Sequence, residues 1–272
     1  MSEKDNQKRK LRPRKKKGGA SRITQKRKLY VEPDEVRLNK YIGSCGVCSR
    51  READKLIEDG RVEVNGKTVT VLGAKISKTD KVKVDGRLIS SAEKGYVVLN
   101  KPKDYITTTK DPKGRRTVME LIEDADIERL YPVGRLDRNT TGVLLFTNDG
   151  MLAQRLIHPK RRIKKVYAVT LDKPLIKKDF EALLSGIQLD DGWMKADHLA
   201  YVDPEDKSKL GIEIHSGRNR IIRRLFEHLE YEVVALDRVL FAGLDKVKLG
   251  RGKWRNLTDK ELRSLKSLAG LA

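Results

Sequence analysis

Three short segments hold side chains whose types could act together chemically. Gly134-Arg135-Leu136-Asp137 opens the run GRLDRNTTGVLLFTNDG (134–150) and sets a carboxylate two residues from a guanidinium. Lys165-Val166-Tyr167 offers an amine and a phenol on alternate positions, and Gly217-Arg218-Asn219-Arg220 offers two guanidinium groups. A carboxylate facing a guanidinium across a cleft is favoured in its charged form, and a charged carboxylate can serve as nucleophile or base. A neighbouring Tyr can stack on a flat ring and present its hydroxyl, while arginines suit phosphates. An Asp between a Gly and a strand is also a common turn residue. These side chains therefore outline a site without naming a reaction.

Other chemistries lack their residues. The only cysteines, Cys45 and Cys48, form one C-x-x-C, whereas a zinc site needs two further ligands, and His158, His198, His215 and His228 are scattered singly. Cys45 and Cys48 read as small buried thiols, and no catalytic role is assigned to His158 or His215. There is no carboxylate cluster with metal spacing, no Cys–His pair and no Walker loop. The sequence argues against metal hydrolysis, nucleotide hydrolysis and zinc deamination, and neither a metal nor a cofactor is expected.

The elements that must position such a site alternate irregularly. YVVLNKP (96–102) reads as a strand ended by Pro102, and GVLLFTNDG (142–150) as a buried strand running into a helix capped by Asn148 or Asp149. IKKVYAVTL (163–171), WMKADHLAYV, SKLGIEIHSG and EVVALDRVLFAGL look like further strands. PLIKKDFEALLSG (174–186) and NRIIRRLFEHLEY (219–231) have helical spacing; the second turns Ile222, Leu225, Phe226 and Leu229 inward and Arg220, Arg223 and Arg224 outward. Without a Gly-rich phosphate fingerprint, this predicts a mixed, mostly antiparallel sheet rather than a doubly wound one. Thr140, Thr141 and Gly142 read as shaping the loop that presents Asp137.

A smaller unit precedes it. VRLNKYIG has Val36, Leu38, Tyr41 and Ile42 at helical spacing, and SRREADKLIEDG opens with Ser49 and Glu52 in capping-box register. Asn65-Gly66 and Asp85-Gly86 each sit between alternating Val-rich segments, a strong signal for a two-residue hairpin. The expected organisation is α+β: a basic disordered tail at 1–35, a small domain at 36–92 with SSAEKG (90–95) as linker, and a larger domain at 93–272.

Charge points to a polyanion. The 272 residues carry a formal net charge of +21, and residues 1–30 alone hold thirteen Lys and Arg against two Asp and Glu. Such a surplus favours phosphate-rich partners, because neutralised phosphates release counterions. The basic tail lacks the apolar face of an interfacial helix. No segment approaches the ~18 apolar residues of a membrane helix, and no secretory leader follows the first basic residues. A cytoplasmic protein working as a monomer, without a membrane partner, is expected.

Two resemblances give these readings a function. VRLNKYIGSCGVCSRREADKLIEDGRVEVNGKTV resembles the α-L RNA-binding domain first described in a ribosomal small-subunit protein, which implies contacts to structured RNA by Lys40, Ser49, Arg50, Arg51 and Lys55. VGRLDRNTTGVLLFTNDG resembles the catalytic signature of the pseudouridine synthases, in particular the branch that modifies ribosomal RNA and carries an N-terminal α-L domain. KVYAVTL is similar to the family's K-x-Y-x-V strand, and GRNRIIRRLFEHLEYEV to its Arg-rich helix start, with Ile221 where the family has Gln. The closing GLDKVKLGRGKWRNLTDKEL resembles the same branch. The resemblance implies that Asp137 attacks the uridine, at the base or at the anomeric carbon. It implies that Arg135 helps to displace the nucleotide from its stack, that Tyr167 packs on the uracil and assists proton removal, and that Arg218 is the basic partner of Asp137. Arg220, Arg223 and Arg224 would contact RNA, and the stretch HPKRRIKKVYAV leans toward the large ribosomal subunit. A rival of another class is a non-catalytic RNA-binding or ribosome-assembly factor that kept the fold; the intact set Asp137, Tyr167 and Arg218 favours the enzyme.

Overall fold

The computed structural model describes residues 35–271 other than Lys78 and Ser91. Most of the expected basic tail, residues 1–34, lies outside the described residues. The described chain begins with strand β1 (Glu35–Arg37), followed by helices α1 (Leu38–Ser44) and α2 (Arg50–Glu58). Val36, expected on the helix, lies in β1 opposite Ile76. Ser49 and Glu52 form the capping box at the start of α2, a device worth about 1 kcal/mol.

Strands β2 (Val62–Val64), β3 (Lys67–Thr68), β4 (Lys75–Ser77), β5 (Val82–Val84) and β6 (Arg87–Leu88) complete the small domain. Both dipeptide turns are where the sequence places them. Asn65 and Gly66 have φ of 52° and 79°, and Asp85 and Gly86 have 50° and 75°, the left-handed pair that matches the strand twist of a hairpin. Leu38, Ile42, Ala53, Ile57, Val62 and Val82 close a separate small core.

The larger domain is built on β7 (Tyr96–Lys101), β8 (Tyr131–Pro132), β9 (Thr141–Thr147), β10 (Lys165–Leu171), β11 (Ile187–Leu189), β12 (Gly192–Met194), β13 (His198–Tyr201), β14 (Lys209–Ile214), β15 (Val233–Phe241), β16 (Leu244–Asp245) and β17 (Trp254–Asn256). Its helices are α3 (Gly150–Ile157), α4 (Lys177–Ser185), α5 (Ile221–His228) and α6 (Asp259–Ala269). The central sheet runs β13-β14-β10-β15-β9-β7-β17. The β15–β9 pairing is parallel and the other pairings of this sheet are antiparallel.

Several local expectations shift. Asp149 caps α3, accepting from the amides of Met151 and Leu152. Asn148 instead ties down the linker, accepting from the Gly95 amide and donating to the carbonyls of Glu93 and Glu128. WMKADHLAYV is two strands, because β12 pairs back on β11 while β13 joins the main sheet. Cys45 and Cys48 are half-buried rather than buried. Arg223 and Arg224 are half-buried as well: Arg223 donates to the Val233 carbonyl, and Arg224 is held by Asp190 and Asp191.

The parallel pair explains Gly142. A Cβ there would meet the Arg238 carbonyl oxygen at 2.1 Å and its amide nitrogen at 2.7 Å, with φ at +107°. Only glycine lets β9 approach β15 this closely, and that approach seats the loop ahead of β9 beside β10 and β15.

Candidate active site

The loop between β8 and β9 alternates its side chains. Leu136 is buried and pinned by Thr107, whose hydroxyl donates to the Leu136 carbonyl at 2.7 Å and accepts from its amide at 3.2 Å. Leu136 and its neighbours Arg135 and Asp137 line a cleft of about 160 Å³. Arg135 is exposed at the lip. Tyr167 comes from the middle of β10, is 8% exposed, and lines the same cleft. The Gly217-to-Arg220 segment closes the far side ahead of α5. Asp137, Tyr167, Arg218 and Arg135 are thus brought together.

The charge pairing differs from the expectation. Arg220 Nη1, not Arg218, approaches Asp137 Oδ2, at 3.8 Å. Arg220 stands at the N-cap of α5 with φ of 46°, a conformation costing a non-glycine residue on the order of 1 kcal/mol, and this turns its side chain toward Asp137. Arg218 lines the cleft but points its guanidinium to Asp191 Oδ1 at 3.3 Å and the Gly192 carbonyl at 3.0 Å. Two adjacent carboxylates at the β11–β12 turn, Asp190 and Asp191, hold Arg224, and Asp191 also holds Arg218. Arg224 and then Arg218 keep the Asp191 carboxyl below the usual range.

Lys101, with no role expected from the sequence, and Lys165, from the second of the three candidate segments, support the walls. Lys101 is 0% exposed. Its ammonium donates to the carbonyls of Pro102, Asp137, Arg138 and Thr140 at 2.9–3.1 Å, gathering the turn that carries Asp137. Burial pushes this ammonium down to about 8, against the pull of Asp137 and Asp104. Lys165 Nζ donates to the carbonyls of Ile163, His215 and Ser216, and burial, with Arg238 nearby, brings it to about 8. Asn100-Lys101-Pro102, at the end of a strand, was the signal that could have pointed to Lys101. Arg238, 2% exposed and lining the cleft, was hidden in an alternating strand. Ile221, in the place of the family's Gln, is buried and apolar.

The two histidines are outside this pairing. His158 Nδ1 accepts from the Lys160 amide, and His215 Nδ1 lies 2.6 Å from Asp197 Oδ2. Among the described residues no group of three or more His, Cys, Asp or Glu could hold a metal, and no helix is long and apolar enough to cross a membrane. On the small domain, Arg51 and Lys55 are exposed on α2. Ser49 is spent on the capping box, and Arg50 donates to Asn39 Oδ1 at 3.3 Å. Lys40 is half-exposed on α1.

Comparison with known proteins places the chain in a family. Residues 95–228 match the RNA pseudouridylate synthase family, and residues 36–82 match the S4 domain, which is the α-L unit expected from the sequence. An RNA pseudouridine synthase of Aquifex aeolicus is 42% identical over 240 residues, covering 87% of this chain and 96% of the relative. The ribosomal large subunit pseudouridine synthase B of Bacillus subtilis is 40% identical over 236 residues, covering 86% and 96%. A crystal structure of a pseudouridylate synthase superposes with a TM-score of 0.62 at 29% identity, over 85% of this chain and 99% of that one. A cleft with one carboxylate, an arginine against it and a tyrosine on the adjoining strand, preceded by an S4 domain, thus sits in a chain that belongs to the RNA pseudouridine synthase family.

Proposed function

We propose that the cleft isomerises a uridine of large-subunit ribosomal RNA to pseudouridine, with Asp137 as the nucleophile. The observation that carries this reading is that Asp137 is the sole carboxylate among the described residues lining the cleft, with Arg220 facing it. In the reaction Asp137 bonds to the uridine, at the base or at the anomeric carbon, and that bond breaks again before product leaves; the N1–C1′ bond breaks and a C5–C1′ bond forms, the hydrogen at C5 leaves as a proton and N1 takes one up. Nothing is oxidised or reduced. A base inside a helix cannot reach such a cleft, so the nucleotide must leave its stack, at a cost of a few kcal/mol. Arg135, exposed on the lip, is placed to fill the gap, and Tyr167 offers its ring to the uracil. Arg218 and Arg224 would exchange their carboxylates for phosphates as RNA docks, and the S4 domain would grip neighbouring RNA with Arg51 and Lys55.

The choice of the large subunit rests on the name of the Bacillus relative and on the basic run ahead of β10. The test is a map of pseudouridines in ribosomal RNA from a strain lacking this protein, complemented with wild type or with Asp137→Ala. One large-subunit position should lose pseudouridine, regain it with wild type, and stay uridine with Asp137→Ala. Restoration by Asp137→Ala would remove the nucleophile from the account, and a lost position in the small subunit would overturn the substrate.

A further inference from the structure

Among the described residues, two buried side-chain polar atoms have no hydrogen-bond partner: Thr140 Oγ1 and Arg238 Nη2. Both residues line the cleft that holds Asp137. Buried polar groups are ordinarily satisfied, so two orphans in one cavity point to a ligand that completes them.

Arg238 is held in place for this. Its Nε donates to the Val143 carbonyl at 2.8 Å, and its guanidinium carbon lies 4.7 Å from the Phe241 ring centroid. The adjacent Asp237 does not neutralise it, being engaged by Lys246 and Arg251. Lys165, also on the cleft wall, already donates to three carbonyls and has no proton to spare. The free N–H of Arg238 and the Thr140 hydroxyl are therefore the buried side-chain polar atoms, among the described residues, that this cleft leaves without a partner. A phosphate would suit the exposed arginines of the rim; a buried donor and a buried hydroxyl lining the same cleft suit a flat ring with a carbonyl next to an N–H.

We infer that Arg238 and Thr140 bind the polar edge of the displaced uracil. Arg238 Nη2 donates to a ring carbonyl oxygen, and Thr140 Oγ1 accepts from the adjacent N3–H. This rests on the reading of the cleft as a uridine site. When the N1–C1′ bond breaks, its electron pair passes to the uracil ring and charge spreads onto the carbonyl oxygens. A fixed guanidinium there holds that charge without reorganising, so Arg238 is a catalytic residue as well as a reader of the base.

The experiment uses the full chain and the shortest ribosomal RNA fragment that the wild type converts. The target uridine is replaced in turn by 2-thiouridine, 4-thiouridine and 3-deazauridine, and single-turnover rates are measured for wild type, Arg238→Lys and Thr140→Val. One of the two thio substrates should slow the wild type about tenfold or more, yet slow Arg238→Lys by less than about threefold. The deaza substrate, which lacks the N3–H, should slow the wild type but add little to the defect of Thr140→Val, a variant of nearly unchanged shape. RNA affinity should stay within about twofold of wild type in both variants, since the loss falls on the chemical step. Wild type converting both thio substrates within about threefold of the uridine rate would overturn the assignment whether or not Arg238→Lys folds. Equal further losses in the variants would overturn it too. A wild type that converts no uridine RNA would instead overturn the function on which the inference rests.

Discussion

The motif singled out Asp137, which lines the cleft, but not the arginine that faces it. Arg218 and Arg220 stand two residues apart in one basic segment, and pattern alone cannot say which turns to the carboxylate. The positive φ of Arg220 and the acidic β11–β12 turn that captures Arg218 decide it. Arg220→Gln should therefore lower kcat by about tenfold or more, while Arg218→Gln should act mainly on KM. Steady-state kinetics on one RNA fragment separates the two, and the reverse split would return the role to Arg218. Lys101, despite its place before Pro102, and Arg238 were passed over for a physical reason: isolated charged residues in a strand ordinarily read as solvated. Only the fold shows that the first is wrapped by carbonyls and the second sealed against Phe241.

At the scale of elements, the loop carrying Asp137 is held from two sides. Lys101 gathers its carbonyls from β7, and Gly142 allows β9 to lie against β15. The Thr-Thr-Gly step was readable as structural, although the close approach itself depends on a parallel pairing that no local pattern reveals. Gly142→Ala should destabilise the domain by about 3 kcal/mol or more, through a Cβ collision with backbone in addition to an unfavourable φ. Chemical denaturation would measure it, and a destabilisation below about 1 kcal/mol would contradict the packing described. A pH effect follows from Lys101 and Lys165, both near 8 in the folded protein against 10.5 unfolded. Between these values the unfolded chain binds more protons, so these groups make stability rise with pH through that window, not fall. Turnover should move the other way, falling above pH about 8 as the ammonium that gathers the Asp137 loop is deprotonated. A pH profile read beside melting temperatures tests this, and a parallel fall of both would assign the drop in activity to unfolding. The sequence showed the cap of α2 and both hairpins because their signals are local. It did not show α6, although Thr258 and Glu261 form a capping box that the pattern T-x-x-E carried.

At the scale of the whole molecule, the described residues pack three hydrophobic clusters, two in the larger domain and one in the S4 unit. The S4 unit closes its own small core and touches the larger domain where the Arg129 guanidinium donates to the Val47 carbonyl, and Arg51 and Lys55 stand exposed on its α2. Reversing Arg51 and Lys55 to Glu should weaken RNA binding. The slope of log affinity against log salt should fall by about one for each phosphate no longer neutralised, with single-turnover chemistry at saturating RNA nearly unchanged. An unchanged slope would mean that this face does not meet phosphate. The broad architecture was readable because the excess of Lys and Arg, the hairpins and the GRLD run are sequence-local, whereas strand order is set by long-range pairing. The central claim is that Asp137 opens the way for departure of the C5 hydrogen from a ribosomal uridine. Its most direct measurement is tritium release from large-subunit ribosomal RNA labelled at uracil C5, with purified wild type and Asp137→Asn, a near-isosteric change. Wild type should release tritium to water and Asp137→Asn none above background while still binding the RNA; release by Asp137→Asn at a rate comparable to wild type would contradict the account.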